Sequence, residues 1–423
     1  MISEKEARAK ILQSLSALPG RYVALSKALD CFAARDYAAQ LPLPNFDNSA
    51  MDGYAVVASA CRKSNRLRVI GEQPAGEDRH LRVSAGEAIR IFTGAPIPSA
   101  ADAIIMQEEV TRDGDEITAN ADVDPGESVR RRGCDLAVGQ KILGKGERIR
   151  STTLALLASQ GCVDVEVGGE VRASIISTGN ELVSIGHSLR AGEIYDSNSV
   201  LLGALLEKAG AQLVSQHHCG DEMREIEAAL RGASRQHVVI ITGGVSVGEH
   251  DLVQSALRKL GAKIDIWRVA IKPGKPFLFA RIPLAQIGPS PQSSPSGRGG
   301  REAPGEGAVH PFGECLVFGL PGNAVSAFVT FLRFVRPAIL RMMSASESAL
   351  ELPQIPARVD VDLTNEGDRT HYLRGRVDDG RFAPVGRQES HALFGLSQSN
   401  ALLRLQPGAK LERGSLVKVE IWD

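Results

Sequence analysis

The stretch "HVVIITGGVSVGEHD", residues 237–251, decides the fold. It begins with a continuous run of β-branched aliphatic residues, which is typical of a strand buried on both faces of a parallel sheet. The strand runs into a glycine-rich loop that ends on Asp251 and precedes the helical pattern "LVQSALRKLG". Ligands of open α/β sheets bind outside the carboxyl ends of the strands. The loop therefore lies where such a fold binds its ligand.

The same alternation of strands and helices extends from about residue 172 to 343. Strand patterns such as "ASIIS" and "AQLVSQ" alternate with helix patterns such as "SVLLGALLEKAG" and "EMREIEAALRG". The strand patterns "PFLFARI" and "CLVFG" then precede a long helix from Asn323. This order predicts a doubly wound α/β domain with a largely parallel sheet.

Other parts of the chain have a different texture. Residues 3–40 and the stretch "RIRSTTLALLASQGC" from Arg148 carry apolar residues at helical spacing and predict helices that pack beside each other. Between them, short strand patterns separated by Gly, Pro and Asp predict a β-rich unit. Short strand patterns after Pro353 predict a small C-terminal β domain. Residues 286–314 are rich in Pro, Gly and Ser, which predicts a disordered surface insertion.

Composition excludes several classes of protein. The chain of 423 residues is longer than a typical single domain, which predicts several domains. The net charge of -1 gives no attraction for nucleic acid or an anionic membrane. The N-terminus lacks a signal-peptide pattern, and no later stretch reaches about 18 apolar residues, so we expect a cytoplasmic protein. The six cysteines form no C-x-x-C pair, which predicts neither disulfides nor a zinc site.

Several loops at predicted strand ends combine glycines with polar or acidic residues: "STGNEL", "YDSNS", "TGGVSVGEHD" and "GLPGNAVSAF". Backbone N–H groups in glycine-rich turns, together with a helix N-terminus, form an anion site suited to phosphate. Neither a Walker A pattern nor a G-x-G-x-x-G pattern occurs, so the motifs indicate neither a standard P-loop enzyme nor a Rossmann dehydrogenase.

Acidic residues recur at these predicted turns and can share one edge of a parallel sheet. They are Glu181, Asp196, Asp221 and Asp251. Acids beside a phosphate loop commonly hold Mg²⁺. The position of Asp251 alone favours a helix N-cap, and the same alternative applies to Glu181. Lys272 and Lys275 of "IKPGKP" could face an oxyanion. The turns of "FDNSAMDGYAV" and "IFTGAPIP" are either site loops or plain hairpins.

Eight motifs together resemble one family. In order they are "NFDNSAMDGYAV", "IFTGAPIP", "RRRGCDL", "STGNELV", "YDSNS", "TGGVSVGEHD", "IKPGKP" and "GLPGNAVSAF". In this order and spacing they are similar to the MoeA family of molybdopterin molybdenumtransferases, which is related to the E domain of gephyrin. The resemblance extends from about residue 7 to the C-terminus, and only the insertion stands out.

The resemblance implies four domains. They are a helical dimerisation domain (1–40 and 140–168), an inserted β-rich domain (41–139), a MogA-like α/β molybdopterin-binding domain (169–343) and a C-terminal β-barrel-like domain (350–423). It also implies a homodimer whose cleft combines the α/β and C-terminal domains of one subunit with the inserted domain of the other. Asp52 and Thr93 would then act in trans.

The reaction implied is the last step of molybdenum cofactor synthesis. Adenylyl-molybdopterin is hydrolysed in the presence of Mg²⁺, molybdate is transferred onto the molybdopterin dithiolene, and AMP is released. Phosphates need N–H donors and a divalent cation, and molybdate needs cationic donors. The implied partners are a molybdopterin adenylyltransferase and the downstream molybdoenzymes or their chaperones, with no nucleic acid and no membrane.

The motifs carry the family's site residues onto this chain. The catalytic residues would be Asp52, Thr93, Asp135, Glu181, Asp221, Lys272 and Lys275. The cofactor-binding residues would be Thr178, Gly179, Ser197, Gly243, Gly244, Ser246, Pro321, Gly322, Asn323, Arg374 and Ser390, with Arg376 as an alternative to Arg374. The metal ligands would be Asp251, Glu181 and Asp221. Asn180 stands where the family often has Asp.

Two alternative functions stay open at this point. A non-catalytic scaffold like gephyrin would keep the fold and lose the chemistry, and the intact acids at the loops disfavour it. A molybdopterin adenylyltransferase would need only the α/β domain, whereas this chain also carries the inserted and C-terminal regions.

Overall fold

The computed structural model describes residues 1–244, 251–284 and 313–422. The chain forms two compact units. The larger unit consists of residues 1–35, 145–154 and 163–423, and the inserted unit consists of residues 36–144 and 155–162. None of the helices in the described ranges has the length and apolar character needed to cross a membrane. The predicted division into four domains stays a prediction.

The N-terminal segment is less helical than predicted. Helix α1 (Glu4–Gln13) begins at a capping box, in which Ser3 Oγ accepts from Glu6 N at 3.2 Å and Glu6 accepts from Ser3 N at 2.9 Å. The second predicted helix is wrong, because Pro19 and Gly20 interrupt the helical pattern and residues 21–24 form strand β1 (Arg21–Ala24). This strand pairs antiparallel with residues 164–167.

The inserted unit confirms the predicted β-rich texture. The strands of the unit are β2 (Tyr37–Ala38), β3 (Asn48–Ser49), β4 (Gly53–Val56), β5 (Arg66–Gln73), β6 (Glu87–Ile91), β7 (Ala103–Met106), β8 (Val110–Asp113), β9 (Glu116–Ala119), β10 (Val129–Arg130) and β11 (Lys141–Leu143). Its main sheet has six strands in the order β7-β4-β6-β5-β9-β8. Tyr54 and Ala55 lie in separate apolar clusters, so both faces of the sheet are covered.

Helix α2 (Ser151–Ser159) confirms the helix predicted from Arg148 and is followed by β12 (Asp164–Val167). Next come the elements of the α/β sheet and its flanks. They are β13 (Arg172–Thr178), β14 (Leu182–Val183), β15 (Ile194–Tyr195), α3 (Ser197–Lys208), β16 (Gln212–Cys219), α4 (Met223–Ala233), β17 (Val238–Thr242), α5 (Leu252–Lys259), β18 (Lys263–Trp267), β19 (Ile271–Lys272), β20 (Leu278–Pro283), β21 (Glu314–Leu320), α6 (Ala324–Thr330) and α7 (Arg336–Met342). A π-helical turn, Phe331–Val335, joins α6 to α7.

The doubly wound α/β domain is confirmed. Its sheet has the order β16-β13-β17-β21-β20-β18, in which the first four strands are parallel and β20 runs antiparallel to both of its neighbours, β21 and β18. Ile240 belongs to the apolar cluster that includes α3 and α6, and Ile241 belongs to the cluster that includes α4 and α5. Helices therefore cover both faces of the sheet. Of the predicted insertion 286–314, residues 286–312 lie outside the described residues, and Glu314 is the first residue of β21.

The C-terminal region forms the predicted β-barrel. Its elements are β22 (Gln354–Val359), β23 (Leu363–Thr364), β24 (Thr370–Asp378), β25 (Arg381–Pro384), α8 (Leu393–Ser397), β26 (Ala401–Leu405), β27 (Lys410–Leu411) and β28 (Leu416–Ile421). Strands β24, β25, β22, β28 and β26 pair in that order, and β26 pairs back with β24, which closes a five-stranded barrel. Phe382, Leu403 and Val419 are buried together in the cluster inside it.

Candidate functional site

Asp52 and Thr93 of the inserted unit form a hydrogen-bonded pair. Oδ1 of Asp52 accepts from the Thr93 backbone N–H at 2.7 Å and from Thr93 Oγ1 at 2.8 Å. These two hydrogen bonds hold the pKa of Asp52 below its usual value, and the charge of Arg90 adds to the effect. The two loops that carry the pair flank strands β4 and β6, which are neighbours in the sheet. The structure therefore brings together two residues that the sequence places 41 positions apart.

Arg90 is a residue of this region that sequence reasoning missed. Its guanidinium lies 5.1 Å from the ring centroids of both Tyr54 and Phe92 and donates to Gln107 Oε1 at 2.5 Å. The signal was an arginine in the apolar run "AIRIF", directly before Thr93. Asp135, by contrast, is exposed in a turn, and its backbone N–H donates to Leu43 O at 3.0 Å.

The carboxyl end of the α/β sheet contains a close approach between Thr178 and the glycine turn after β17. Thr178 is 2% exposed, and its hydroxyl has no hydrogen-bond partner among the described residues. Gly243 and Gly244 have positive φ. A Cβ at Gly243 would lie 2.2 Å from Thr178 O, and a Cβ at Gly244 would lie 2.7 Å from Thr178 Oγ1. Only glycine fits this turn, so its backbone is free to approach a ligand.

The two acids predicted nearest to this edge have different environments. Asp221 and Asn180 bind each other reciprocally, because Asn180 N donates to Asp221 Oδ2 at 3.3 Å and Asp221 N donates to Asn180 Oδ1 at 3.2 Å. This contact ties the end of β13 to the end of β16. Glu181 is exposed, and its carboxylate lies against the backbone of Gly179, which has a φ of +145°.

Asn198 connects three strand-end loops and was not predicted. Its Nδ2 donates to Thr242 Oγ1 at 2.9 Å and to Gly322 O at 2.7 Å, and Thr242 Oγ1 donates to Pro321 O at 3.2 Å. The signal was the second polar residue in the first turn of α3, within "YDSNS". The preceding Ser197 is exposed.

Two of the predicted edge acids are helix caps. Asp196 accepts from Ser199 N at 3.0 Å at the start of α3, and Asp251 accepts from Gln254 N at 2.9 Å at the start of α5. The N-cap interpretation of Asp251 is therefore confirmed. Ser246 lies outside the described residues. Within the described ranges, no three His, Cys, Asp or Glu residues converge to hold a metal ion.

Lys272, the last residue of β19, and Lys275, in the loop between β19 and β20, are both exposed. Gly274 separates them with a φ of +112°, and a Cβ there would lie 2.7 Å from Thr330 Cγ2. The loop thus packs its glycine against α6 and leaves both ammonium groups at the surface, where an oxyanion can reach them.

Of the last three candidates, two form a hydrogen bond with each other, and the third is buried and holds a loop. Asn323 Nδ2 donates to Ser390 Oγ at 3.0 Å, which links the start of α6 to the loop before α8. Arg374 is 1% exposed and donates to the backbone carbonyls of Arg387 and Glu389. Burial lowers the pKa of its guanidinium, and the charge of Glu389 partly offsets this. Arg374 therefore supports the loop that carries Ser390.

Family models match the chain in three consecutive stretches. The MoeA N-terminal region (domain I and II) matches residues 2–161, the probable molybdopterin binding domain matches residues 174–341, and the MoeA C-terminal region (domain IV) matches residues 356–422. Together these matches cover both units described above.

Full-length relatives agree with these matches. The molybdopterin molybdenumtransferase of Haemophilus influenzae is 34% identical over 99% of this chain and 98% of its own length. Molybdopterin molybdenumtransferase 2 of Mycobacterium tuberculosis is 31% identical over 100% of both chains. A crystal structure of a molybdopterin biosynthesis MoeA protein from Pyrococcus horikoshii OT3 has a TM-score of 0.80 at 27% identity and covers 100% of both chains.

Proposed function

The chain belongs to the family of the molybdopterin molybdenumtransferases, and we propose that it carries out the final step of molybdenum cofactor synthesis. It is a transferase with a role in molybdenum cofactor biosynthesis. In the proposed reaction, adenylyl-molybdopterin is hydrolysed with release of AMP, and molybdate is transferred onto the dithiolene. We further propose that the protein is a cytoplasmic homodimer that receives its substrate from a molybdopterin adenylyltransferase and delivers product to molybdoenzymes or their chaperones.

The observation that carries this proposal is the contact between the Thr178 hydroxyl and the turn of Gly243 and Gly244. A buried hydroxyl without a partner costs about 1–3 kcal/mol, so its presence favours a ligand that completes the hydrogen bond. A side chain on either glycine would clash with Thr178. A phosphate oxygen of adenylyl-molybdopterin suits the Thr178 hydroxyl and the backbone N–H groups of a glycine turn.

The residues at this edge fit a Mg²⁺ ion. Mg²⁺ beside phosphates is held by one or two carboxylates together with phosphate oxygens and water, so a cluster of three acids is not required. Asp251, Glu181 and Asp221 are the candidate carboxylates, and one or two of them would hold it. When bound, the ion would neutralise charge on the pyrophosphate and make adenylate a better leaving group.

The remaining candidates have roles that follow from their charge or from their hydrogen-bonding groups. The exposed ammonium groups of Lys272 and Lys275 would bind the molybdate dianion. Asn323 and Ser390, which already share a hydrogen bond, would contribute polar contacts to the bound pterin. In the proposed homodimer, Asp52 and Thr93 would come from the other subunit, and their mutual hydrogen bonds would keep the Asp52 carboxylate ionised.

The proposed reaction conserves atoms and electrons. Water adds across the phosphoanhydride, so one new P–O bond forms, the anhydride P–O bond breaks, and AMP leaves while the other phosphate stays on molybdopterin. The two dithiolene sulfurs bond to molybdenum, and one oxo group leaves as water with the two thiol protons. Molybdenum keeps its oxidation state, so no reductant is needed.

The test follows AMP release from adenylyl-molybdopterin incubated with purified protein, Mg²⁺ and molybdate. We expect release to require all of the components. Thr178→Val should slow it by roughly 10- to 100-fold with an unchanged melting temperature, because the lost group would hydrogen-bond a charged ligand and has no partner among the described residues. Thr178→Ser keeps the hydroxyl and serves as the matched control. Failure of the wild-type protein to release AMP would refute the proposed function.

A further inference from the structure

The larger unit contains a cavity of about 790 Å³ that lies apart from the strand-end loops. Its walls include side chains from α3, the helical run of α6 and α7, α8 and the end of the chain. Leu205, Phe331, Leu352, Leu396 and Trp422 make it largely apolar. The volume lies within the range of about 300–1,000 Å³ that is typical of small-molecule sites. None of the predicted site residues is part of its lining, so the cavity is a separate feature.

Three of the side chains that line this cavity are basic. They are Arg148, Lys208 and Arg336, and Glu351 is the acidic residue among the lining side chains. Arg148 also forms an ion pair of 3.6 Å with Asp30. Glu351 is already paired with Arg8 at 2.6 Å. Arg336 instead donates to the backbone carbonyl of Leu350 at 2.9 Å, and no carboxylate in the described ranges forms an ion pair with it.

The positive charge of Arg336 is therefore poorly compensated. Burial and then the nearby charge of Arg148 lower the pKa of Arg336 to about 10, and Glu351 only partly opposes them. The guanidinium still carries its charge at neutral pH. A half-buried cation without a carboxylate, at the edge of an apolar cavity, is complementary to a ligand that has an anionic group on a hydrophobic body.

We propose that this cavity binds an apolar monoanion, with its hydrocarbon part against Leu205, Phe331 and Trp422 and its anionic group against Arg336 and Arg148. An aromatic or aliphatic carboxylate or sulfonate has this chemistry. The proposal uses none of the residues assigned to molybdenum transfer and is independent of that activity.

The experiment titrates the full-length protein with the fluorescent monoanion anilinonaphthalene sulfonate and with the uncharged phenylnaphthylamine, which has the same ring system. We expect saturable binding of the sulfonate, about one per chain, and binding of the neutral probe weaker by roughly tenfold or more. Arg336→Gln should reduce the affinity for the sulfonate to that for the neutral probe. Arg224→Gln, an exposed arginine on α4, is the control and should change neither.

A second variant tests the location. Ala204 is exposed at the lining of the cavity on α3, so Ala204→Trp should fill the cavity with an intact fold and abolish saturable binding. Ala228→Trp, at an exposed alanine of α4, is the matched control. Melting curves of all variants check folding, and Arg148→Gln replaces Arg336→Gln if the latter does not fold. Equal affinities for the two probes, or unchanged binding by Ala204→Trp, would overturn the proposal.

Discussion

Arg333 donates a hydrogen bond of 2.7 Å from Nε to Oε1 of Glu4, a residue 329 positions away in the chain. The same guanidinium donates to both carboxylate oxygens of Glu420, at 2.8 and 2.9 Å. Tyr372 donates to Glu4 at 2.5 Å, and Arg404 donates to it at 3.2 Å. Helix α1, the π-helical turn and three barrel strands thus meet in one network, whose members are buried except for Arg404.

We expect Arg333→Met to lower the free energy of unfolding by about 3–5 kcal/mol, because it leaves the buried Glu420 without its counterion and leaves Glu4 with Arg404 as its cationic partner. Arg231→Met removes a more exposed ion pair of 3.5 Å with Glu227 on α4 and should cost under about 1 kcal/mol. Urea unfolding of both variants measures the difference. Equal losses would mean that the buried network does not hold the barrel in place.

Because His371 is buried, we expect the protein to lose stability in mild acid. The residue is 8% exposed, and its Nε2 has no hydrogen-bond partner within the described part of the chain. Burial lowers the pKa of His371 to about 4, and the charges of Lys272, Arg369 and Arg374 add to the effect. The unfolded chain binds a proton near pH 6.5, whereas the folded chain binds it only near pH 4. The contribution of neutral His371 to the free energy of unfolding is therefore complete above pH 6.5 and is lost as the pH falls toward 4.

We expect this residue to account for about 2 kcal/mol of unfolding free energy lost between pH 7.5 and pH 5. His371→Leu cannot titrate, so its stability should fall by that much less than the wild type over the same range. Urea unfolding at the two pH values measures both slopes. If the stability of both proteins changes equally with pH, the pKa of His371 is the same in the folded and the unfolded chain.

Local patterns predicted most of the α/β architecture, because each buried strand is a continuous aliphatic run and each helix has an apolar face. The strand Arg21–Ala24 was misread as helix, since its partner Asp164–Val167 lies far away in sequence and only the pairing selects the extended form. The network around Arg333 was invisible for the same reason. Its hydrogen bonds join residues up to 400 positions apart.

The candidate site was predicted at the level of loops and less well at the level of contacts. A parallel sheet places the ends of β13 and β17 side by side, so Thr178 and the Gly243 turn could be expected to meet. The pairing of Asp221 with Asn180, and the bridge from Asn198 to Gly322, depend on side-chain rotamers that no sequence pattern specifies. The same holds for Arg374, whose burial depends on the closed barrel.

The proposed homodimer with a composite cleft makes a prediction for mixed subunits. If Asp52 acts in the partner's cleft, mixing Asp52→Ala chains with Asp251→Asn chains should restore about a quarter of the wild-type sites, because half of the dimers are mixed and each holds one intact cleft. AMP release after denaturation and refolding of the mixture measures this. Each variant refolded alone is the control. Mixed dimers that form and stay inactive would place both residues in a cleft built from one chain.

A substitution at Asp251 tests whether this residue only caps helix α5 or also binds a metal ion. Asparagine caps a helix nearly as well as aspartate, so Asp251→Asn should preserve the hydrogen bond to Gln254 N and change stability by well under about 1 kcal/mol. If the carboxylate also holds Mg²⁺ beside the pyrophosphate, loss of its charge should raise the Mg²⁺ midpoint and slow AMP release by a factor on the order of 10²–10³. Titrating Mg²⁺ against AMP release for both proteins, beside their melting curves, distinguishes the two roles. Asp196→Asn, at the cap of α3, is the matched control and should change neither the midpoint nor the rate. A normal rate with an unchanged midpoint in Asp251→Asn would leave Asp251 as a cap alone and assign the metal to Glu181 or Asp221.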